Sequence, residues 1–381
     1  MKVICDREKL LAAFQIASVV APARSPKPIL RNVKFEVAGP VSGDSGAEGR
    51  GTLLATDLEV GVRVSLADVQ VEAPGSAVLP IDRVGLILRE SSDAKLRIES
   101  DGQGTLVRGD RSEFKLPAGN PEEFPSIVEF TENKYHALPA RVFKELIRRT
   151  VFATDTESSR YALGGVLFEM SGDKVTAVGT DGRRLAMMEA PGKAVEGHET
   201  GDTMTIVPTK ALHFIDRALA DGDEEVQIAT RANDVLVRSP RVTIYSRLVE
   251  GRFPKWRDVF PRRSDAVKIE MVVGPLHSAV RQAAIMTNDE SRGVDFTFGD
   301  GKVVLSGRGA ETGQSRVELP IAYDGASIGI TLDPRYVNDF LKVLDPEKNF
   351  TLEIKDSESA AVCSTDDGYG YVIMPLARDR R

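Results

Sequence analysis

The sequence predicts an α+β protein that contains three copies of one domain. Alternating apolar and polar residues, typical of antiparallel strands with one buried face, recur along the 381 residues, for example in Val33–Val37 and Phe350–Ile354. Six stretches show the 3.6-residue spacing of helices, near 6–20, 81–90, 139–152, 208–220, 275–287 and 334–344. A few helices among many strands indicate α+β, and the helices recur in pairs.

Each copy begins in the same way. The opening helices are Asp6–Val20, Pro139–Phe152 and Pro275–Thr287. Strands with a shared V-x-F core follow, at Asn32–Phe35, Gly165–Phe168 and Gly293–Phe296. The first two copies then carry a Thr-Asp turn, at Ala55–Glu59 and Gly179–Arg183, and turns of this kind suit Asp and Gly.

Each copy also ends in the same way. The second helix starts at a proline, which costs nothing in a first helical turn, and these prolines are Pro80, Pro208 and Pro334. The predicted closing strands are Glu113–Pro117, Tyr245–Val249 and Tyr371–Pro375. The copies recur at roughly 115–135 residues, a domain length rather than a solenoid period. We therefore predict domains at 1–130, 131–264 and 265–381.

Composition and motifs exclude several classes of protein. Cys5 and Cys363 belong to no C-x-x-C pair, so nothing indicates a metal, and free thiols suit a reducing cytosol. No signal-peptide core and no apolar run of about 20 residues occurs, so we expect a cytoplasmic protein. Gly43–Gly46 is protease-like but has no matching histidine context, and no phosphate-binding glycine motif occurs. We expect no catalysis and no cofactor.

Positive charge concentrates in the predicted helices. They hold thirteen Lys and Arg against seven Asp and Glu, in a chain whose net charge is −7. If the helices share one surface, that surface would attract a polyanion and contact its phosphates. No aromatic residues interleave with the charges, so phosphate contact is favoured over base stacking. The candidate contacts on these helices are Arg83, Arg141, Lys144, Arg148 and Arg281.

Four features together resemble the bacterial sliding clamp family, the beta subunit of DNA polymerase III. They are the threefold repeat, the Thr180–Leu185 turn, Leu248–Pro254 and Met374–Leu376 near the end of the sequence. The resemblance covers essentially the whole chain. It implies three similar domains, with antiparallel sheets outside and two helices inside each, in a head-to-tail homodimeric ring around duplex DNA. The implied function is a non-catalytic processivity factor of DNA replication that tethers the replicative polymerase.

The resemblance also implies a groove between the second and third domains. It would bind short peptides with Gln and Leu/Phe anchors from the polymerase III alpha subunit, the clamp loader and repair or translesion polymerases. Leucine, valine and methionine suit an adaptable apolar pocket, in which Arg184 would grip a peptide oxygen. By position the groove comprises Leu163, Thr180, Gly182, Arg183, Arg184, Leu185, Pro254, Val259, Val372, Ile373, Met374, Pro375 and Leu376.

Two further sets of residues follow from the resemblance. DNA contacts are implied at Arg24, Arg160, Tyr161 and Lys210, although Ala162 stands where a second aromatic residue is common. The ring interface is implied to join Phe114 and Leu116 to Ile285 and Met286. An acidic row that often accompanies this interface is reduced here to Glu311 and Glu318.

Some positions depart from the family pattern. Asp258 stands where a basic residue is common and Arg183 where histidine is common, while Glu358 and Ala360 alter the edge of the groove. The thin acidic row motivates an alternative hypothesis, a protein-binding scaffold of this fold whose ring does not close. An enzyme that uses the acidic exterior is a third hypothesis.

Overall fold

The structure is a computed structural model that describes residues 1–39, 49–155, 161–260, 265–288, 292–309 and 311–377. Residues 39–51 form a stretch rich in Gly and Ser, and 377–381 end the sequence with three arginines. Most of the first stretch, all but the first residue of the second, and Arg160 lie outside the described residues. The chain forms two compact units. Unit 1 comprises Met1–Lys144, Lys193–Glu199 and Lys210–Leu248, and unit 2 comprises Glu145–Gly192, Thr200–Thr209 and Val249–Arg381.

All six predicted α-helices form, and the described residues contain one further, short α-helix. Asp6 and Asp333 cap two of them by accepting hydrogen bonds from Lys9 N and Arg335 N, both at 2.9 Å. No helix in the described ranges is long and apolar enough to cross a membrane. The helices are α1 (Arg7–Ser18), α2 (Ile81–Glu90), α3 (Ala140–Arg148), α4 (Thr209–Ala218), α5 (Trp256–Val259), α6 (Val273–Ala283) and α7 (Pro334–Lys342).

Strands make up most of the remaining regular structure, as the alternation predicts. They are β1 (Lys2–Asp6), β2 (Asn32–Ala38), β3 (Gly49–Thr56), β4 (Val60–Ala73), β5 (Gly75–Pro80), β6 (Lys95–Asp101), β7 (Gly104–Arg108), β8 (Glu113–Pro117), β9 (Tyr135–Pro139), β10 (Gly165–Ser171), β11 (Lys174–Thr180), β12 (Arg184–Pro191), β13 (Lys193–Val195), β14 (Ile206–Pro208), β15 (Glu225–Thr230), β16 (Asp234–Arg238), β17 (Val242–Arg247), β18 (Val267–Val272), β19 (Val294–Gly299), β20 (Lys302–Gly309), β21 (Gly313–Pro320), β22 (Ile328–Leu332), β23 (Asn349–Ile354), β24 (Ala361–Ser364) and β25 (Tyr369–Ile373).

Unit 1 is built on one large antiparallel sheet. Its main path runs β13-β9-β15-β16-β17-β4-β1-β6-β7-β8, and β3, β2 and β5 branch from β4. Strand β17, from the second sequence copy, pairs with β4 of the first copy, with Thr243 opposite Arg63. The sheet therefore continues across the predicted boundary near residue 130.

Unit 2 contains two antiparallel sheets. The larger follows β14-β10-β11-β12-β25-β24-β23-β18 and the smaller follows β21-β20-β19-β22. Here β25 of the third copy pairs with β12 of the second, with Val372 opposite Leu185. A sheet again runs across a boundary between two sequence copies. For this reason the chain divides into two compact units rather than three. The exact ends of the three domains stay a prediction.

Candidate functional site

The Thr180–Leu185 turn is held by its own side chains. Asp181 Oδ1 accepts hydrogen bonds from Arg183 N at 2.9 Å and Arg184 N at 3.0 Å. Thr180 Oγ1 accepts from Gly182 N at 3.1 Å and donates to Arg184 O at 2.6 Å. Gly182 has φ +86°, which suits glycine. The side chains of Thr180 and Asp181 thus accept hydrogen bonds from backbone N–H groups of the turn and hold its conformation.

Arg184 is committed to partners within unit 2. Its Nη1 lies 2.7 Å from Asp339 Oδ2, and its Nε lies 3.1 Å from Asp181 Oδ2. Its Nη2 donates to Phe152 O at 2.6 Å, and the guanidinium lies 4.5 Å from the centroid of the Tyr336 ring. A side chain with these partners positions the turn against α7. That Arg184 also binds a peptide oxygen stays a prediction.

The last strand completes this part of the molecule. Strand β25 runs antiparallel to β12, and Val372 and Ile373 are buried in the sheet. Beyond the strand, Met374 N donates to Arg183 O and Leu376 N donates to Thr331 O, each at 2.9 Å. The backbone after β25 is therefore attached both to the Thr180–Leu185 turn and to β22.

The predicted groove residues separate into buried and exposed groups. Val259 is 45% exposed and Met374 is 46% exposed, so each presents apolar surface. Gly182, Arg183 and Pro254 are also exposed, while Arg184, Pro375 and Leu376 are intermediate. Leu163, Thr180, Leu185, Val372 and Ile373 are buried. We call the Thr180–Leu185 turn, Val259 and Val372–Leu376 the turn–strand surface; its exposed members can contact a ligand and its buried members support them.

Sequence reasoning missed the residues beneath this surface. Trp256 is buried in one apolar cluster with Leu185 and Val372. Its indole Nε1 donates to Glu169 Oε1 at 3.3 Å. Arg257 binds both oxygens of the same carboxylate, at 3.1 and 2.6 Å, and lies 4.2 Å from the centroid of the indole ring. One sequence signal could have identified these residues: Trp256 is the only tryptophan of the chain and directly follows Phe253-Pro-Lys.

The candidate DNA contacts of unit 1 differ in their charge environment. Arg24 and Arg83 are exposed and form no ion pair within the described ranges. Arg141 is hydrogen-bonded to Asp223, and both side chains are largely exposed. Lys210 is hydrogen-bonded to Asp57. Each residue is thus accessible; among the described residues Arg141 and Lys210 have an ion-pair partner, whereas Arg24 and Arg83 have none.

Lys144 requires a correction. Its side chain is only 5% exposed, and its ammonium donates to Leu219 O at 3.0 Å and lies 2.6 Å from Asp221 Oδ1. A buried cation needs such partners, because desolvation without them is costly. The assignment of Lys144 as a phosphate contact was therefore wrong. It is a structural cation that joins α3 to the segment after α4.

The candidate contacts of unit 2 are fewer. Arg148 and Arg281 are exposed, on α3 and α6. Tyr161 begins a short 3₁₀ turn, Tyr161–Leu163. In the described residues no group of three or more His, Cys, Asp or Glu side chains could hold a metal ion.

The candidate interface residues lie at sheet edges or close to them. Phe114 is exposed on β8, an end strand of the unit 1 sheet, whereas Leu116 on the same strand is buried. In unit 2, Ile285 is 70% exposed after α6 and Met286 is intermediate. Among the described strands, β8 and β21 each pair on one side alone, and such an edge can accept a further strand.

The remaining acidic residues near β21 are engaged locally or exposed. Glu318 lies 3.0 Å from Lys302 Nζ and 2.6 Å from Arg316 Nη2. These hydrogen bonds lower the pKa of the Glu318 carboxyl. Glu311 is exposed. Glu318 thus already has cationic partners in its own unit.

Comparison with known proteins accounts for these features together. Family models of the DNA polymerase III beta subunit match residues 1–128 (N-terminal domain), 137–255 (central domain) and 257–377 (C-terminal domain). The beta sliding clamp of Escherichia coli K12 is 30% identical over 380 residues, covering 99% of this chain and all of that protein. The Pseudomonas putida beta sliding clamp is 31% identical, covering 97% and 98% respectively.

Solved structures agree with these sequence matches. The crystal structure of the DNA polymerase III beta subunit of Pseudomonas aeruginosa matches with a TM-score of 0.89 at 27% identity, over 99% of this chain and 100% of that one. A structure of the clamp from that organism bound to griselimycin matches with a TM-score of 0.89 at 28% identity and the same coverage. The predicted α+β architecture of three clamp-type domains is thereby confirmed, and the chain belongs to the DNA polymerase III beta subunit family, the sliding clamps.

Proposed function

We propose that two copies of this chain associate head to tail into a ring that encircles duplex DNA and slides along it. The ring serves DNA replication in the cytoplasm as a non-catalytic processivity factor, because it tethers a polymerase to its template. The observation that carries the proposal is the match of clamp family models to all three parts of the chain. A tether of this kind must be enclosed topologically and must contact phosphates loosely, without reading bases.

Edge strands and exposed apolar residues support closure of the ring. Strands β8 and β21 are free to pair on one side, so they can join head to tail between two chains. Phe114 and Ile285 would then be buried together. Leu116 is buried in its own unit and lies two residues from Phe114 on β8, on the same face of the strand.

Solution mass and retention on DNA test the ring. We expect a mass near twice 41.4 kDa at low micromolar concentration, measured by sedimentation. After loading by a clamp loader, the protein should remain on nicked circular duplex and leave linear duplex by sliding off its ends. A monomer, or equal loss from both DNAs, would support instead the scaffold whose ring does not close.

We further propose that the turn–strand surface binds short peptides of partner proteins. These partners are the polymerase III alpha subunit, the clamp loader and repair or translesion polymerases, each through a segment with Gln and Leu/Phe anchors. Exposed Val259 and Met374 supply apolar contact, and methionine adapts to different anchors. Exposed Arg183 adds a cation at the edge of this surface.

Substitution of Met374 tests the peptide site. Met374→Ser should weaken a peptide with these anchors about 10-fold, since losing one apolar anchor costs about 1.5 kcal/mol. Removing the residues after Ile373 should weaken it at least as much. Isothermal titration calorimetry would measure both. Leu185 is unsuitable for this test, because it is buried and its truncation would destabilise the core.

Met204→Ser is the matched control, since Met204 is an exposed methionine of unit 2 outside the turn–strand surface. It should leave peptide affinity unchanged, and each variant should remain a dimer in sedimentation. Equal peptide affinity for the Met374 variant and the Met204 variant would overturn the assignment of the surface.

A further inference from the structure

The contact between Lys210 and Asp57 joins a candidate phosphate ligand to a carboxylate of its own unit. Lys210 is the second residue of α4, and its side chain is 72% exposed. Asp57 lies in the Thr-Asp turn between β3 and β4, and its side chain is 9% exposed. The ammonium donates to Asp57 Oδ2. Two elements far apart in sequence therefore share one ion pair at the surface of unit 1.

The two partners differ in mobility. Asp57 Oδ1 accepts hydrogen bonds from Glu59 N at 3.0 Å and Val60 N at 2.7 Å, which hold the carboxylate in the turn. Lys210 has four rotatable side-chain bonds and open solvent around it. The carboxylate is thus a fixed acceptor, while the ammonium can leave it and return.

We propose that Asp57 is a positioning residue for sliding: it retains the Lys210 ammonium between phosphate contacts and keeps this site electrically neutral. The inference rests on the proposed function, in which Lys210 faces duplex DNA. A phosphate that approaches Lys210 competes with Asp57 for the same N–H donors. The contact that forms is therefore weak and brief, which favours movement along the duplex over residence.

Counterion release gives the idea a measurable form. A cation that neutralises a phosphate contributes about 0.9 to the slope of log affinity against log salt. Lys210 paired with Asp57 contributes little, because the site has no net charge. Arg24 and Arg83 lack a carboxylate partner in the described part of the chain and should contribute in full.

The variant Asp57→Asn tests this directly. Asparagine keeps the oxygen that accepts from Glu59 N and Val60 N, so the turn is preserved while the negative charge is lost. We expect tighter binding to a fluorescently labelled 30-base-pair duplex, followed by anisotropy with the full-length protein. When NaCl is raised from 50 to 200 mM, the affinity of the variant should fall about 3.5-fold more than that of the parent. This is the effect of one additional cation that neutralises a phosphate.

Two controls separate charge release from other effects. Asp101→Asn removes the same charge from a similar turn, in which Asp101 Oδ1 accepts from Gln103 N and Gly104 N, and should leave the slope unchanged. In a Lys210→Ala background Asp57→Asn should lose its effect, whereas in an Arg83→Ala background the effect should persist. This double-mutant cycle assigns the gain to Lys210 rather than to net charge.

The outcomes distinguish failure of this inference from failure of the proposed function on which it rests. If Arg24→Ala and Arg83→Ala weaken DNA binding but Asp57→Asn matches the parent, the inference fails and the clamp function stands. If Asp57→Asn steepens the slope equally with and without Lys210, the inference also fails. If the parent, once loaded, leaves nicked circular duplex as fast as linear duplex, the proposed function itself fails.

Discussion

At the scale of single residues, His136 and His198 form a buried pair of imidazole rings. The two Nδ1 atoms lie 2.7 Å apart in the interior of unit 1. His198 Nε2 lies 3.3 Å from Thr230 N and 3.1 Å from Thr230 Oγ1, so Thr230 offers this nitrogen a donor and a hydroxyl. Neutral rings therefore have hydrogen-bond partners here, whereas a second proton on His198 would be held in a buried site beside another ring.

This arrangement predicts acid sensitivity. Burial, with smaller contributions from His136 and Lys134, lowers the pKa of His198 to about 4. Because the unfolded chain binds a proton near pH 6.5 and the folded chain does not until about pH 4, stability is full above 6.5 and falls as pH drops through this window. We expect a loss of about 1.4 kcal/mol per pH unit between 6 and 4.5, measured by urea unfolding.

His198→Gln should reduce this slope, since glutamine does not titrate. Replacing His213, an exposed histidine on α4, is the control and should not alter it. An unchanged slope in the His198 variant would show that other groups set the acid response.

Several residue roles were beyond sequence reasoning for a physical reason. Arg184 pairs with Asp339, which is 155 positions away, and a turn motif gives no sign of such a partner. Lys144 is a cation on a basic helix, but periodicity does not show which face of that helix the neighbouring loop covers. By contrast, Asp181 and Gly182 were identified correctly as a turn, because the interactions that hold it are local in sequence.

At the scale of elements, two strands of unit 2 pass close to the end of a helix at a glycine. A Cβ on Gly179 of β11 would lie 2.2 Å from Thr150 O, just beyond α3. A Cβ on Gly307 of β20 would lie 2.4 Å from Ala283 O, at the end of α6. The same close approach thus occurs in the second and third copies, and no side chain fits there.

Gly179→Ala and Gly307→Ala should each lower the free energy of unfolding by about 2–3 kcal/mol, because a backbone carbonyl must move to accommodate the methyl group. Chemical denaturation would measure this. Gly329→Ala is the control, since its Cβ would meet no atom closer than 3.6 Å, and we expect a change below about 1 kcal/mol. Similar losses at all three positions would contradict the close approach.

Elements proved more predictable than sites. Amphipathic spacing and prolines at helix starts located six helices, and Glu113–Pro117 matches β8 at both ends. Tyr245–Val249 and Tyr371–Pro375 were displaced towards the C-terminus from β17 and β25. Strand ends depend on pairing partners elsewhere in the chain, which periodicity does not reveal.

At the scale of the whole molecule, association depends on surfaces that the single chain leaves exposed. Ile285→Lys should give a monomer of 41.4 kDa in sedimentation at low micromolar concentration, because the proposed ring interface cannot bury an unpaired charge. The fold should persist, since Ile285 contributes little to the core. Val128→Lys places the same charge at another exposed apolar position and should remain dimeric. A dimeric Ile285 variant would move the interface elsewhere.

The position of the single tryptophan gives the molecule a built-in optical probe. Trp256 belongs to unit 2, so its fluorescence reports on that unit alone, while calorimetry detects heat from both. Its indole packs in a cluster with Leu185 and Val372 and lies beneath the guanidinium of Arg257, so a ligand that shifts these groups should change the emission. Inhibitors of the turn–strand surface could then be screened on the unlabelled protein.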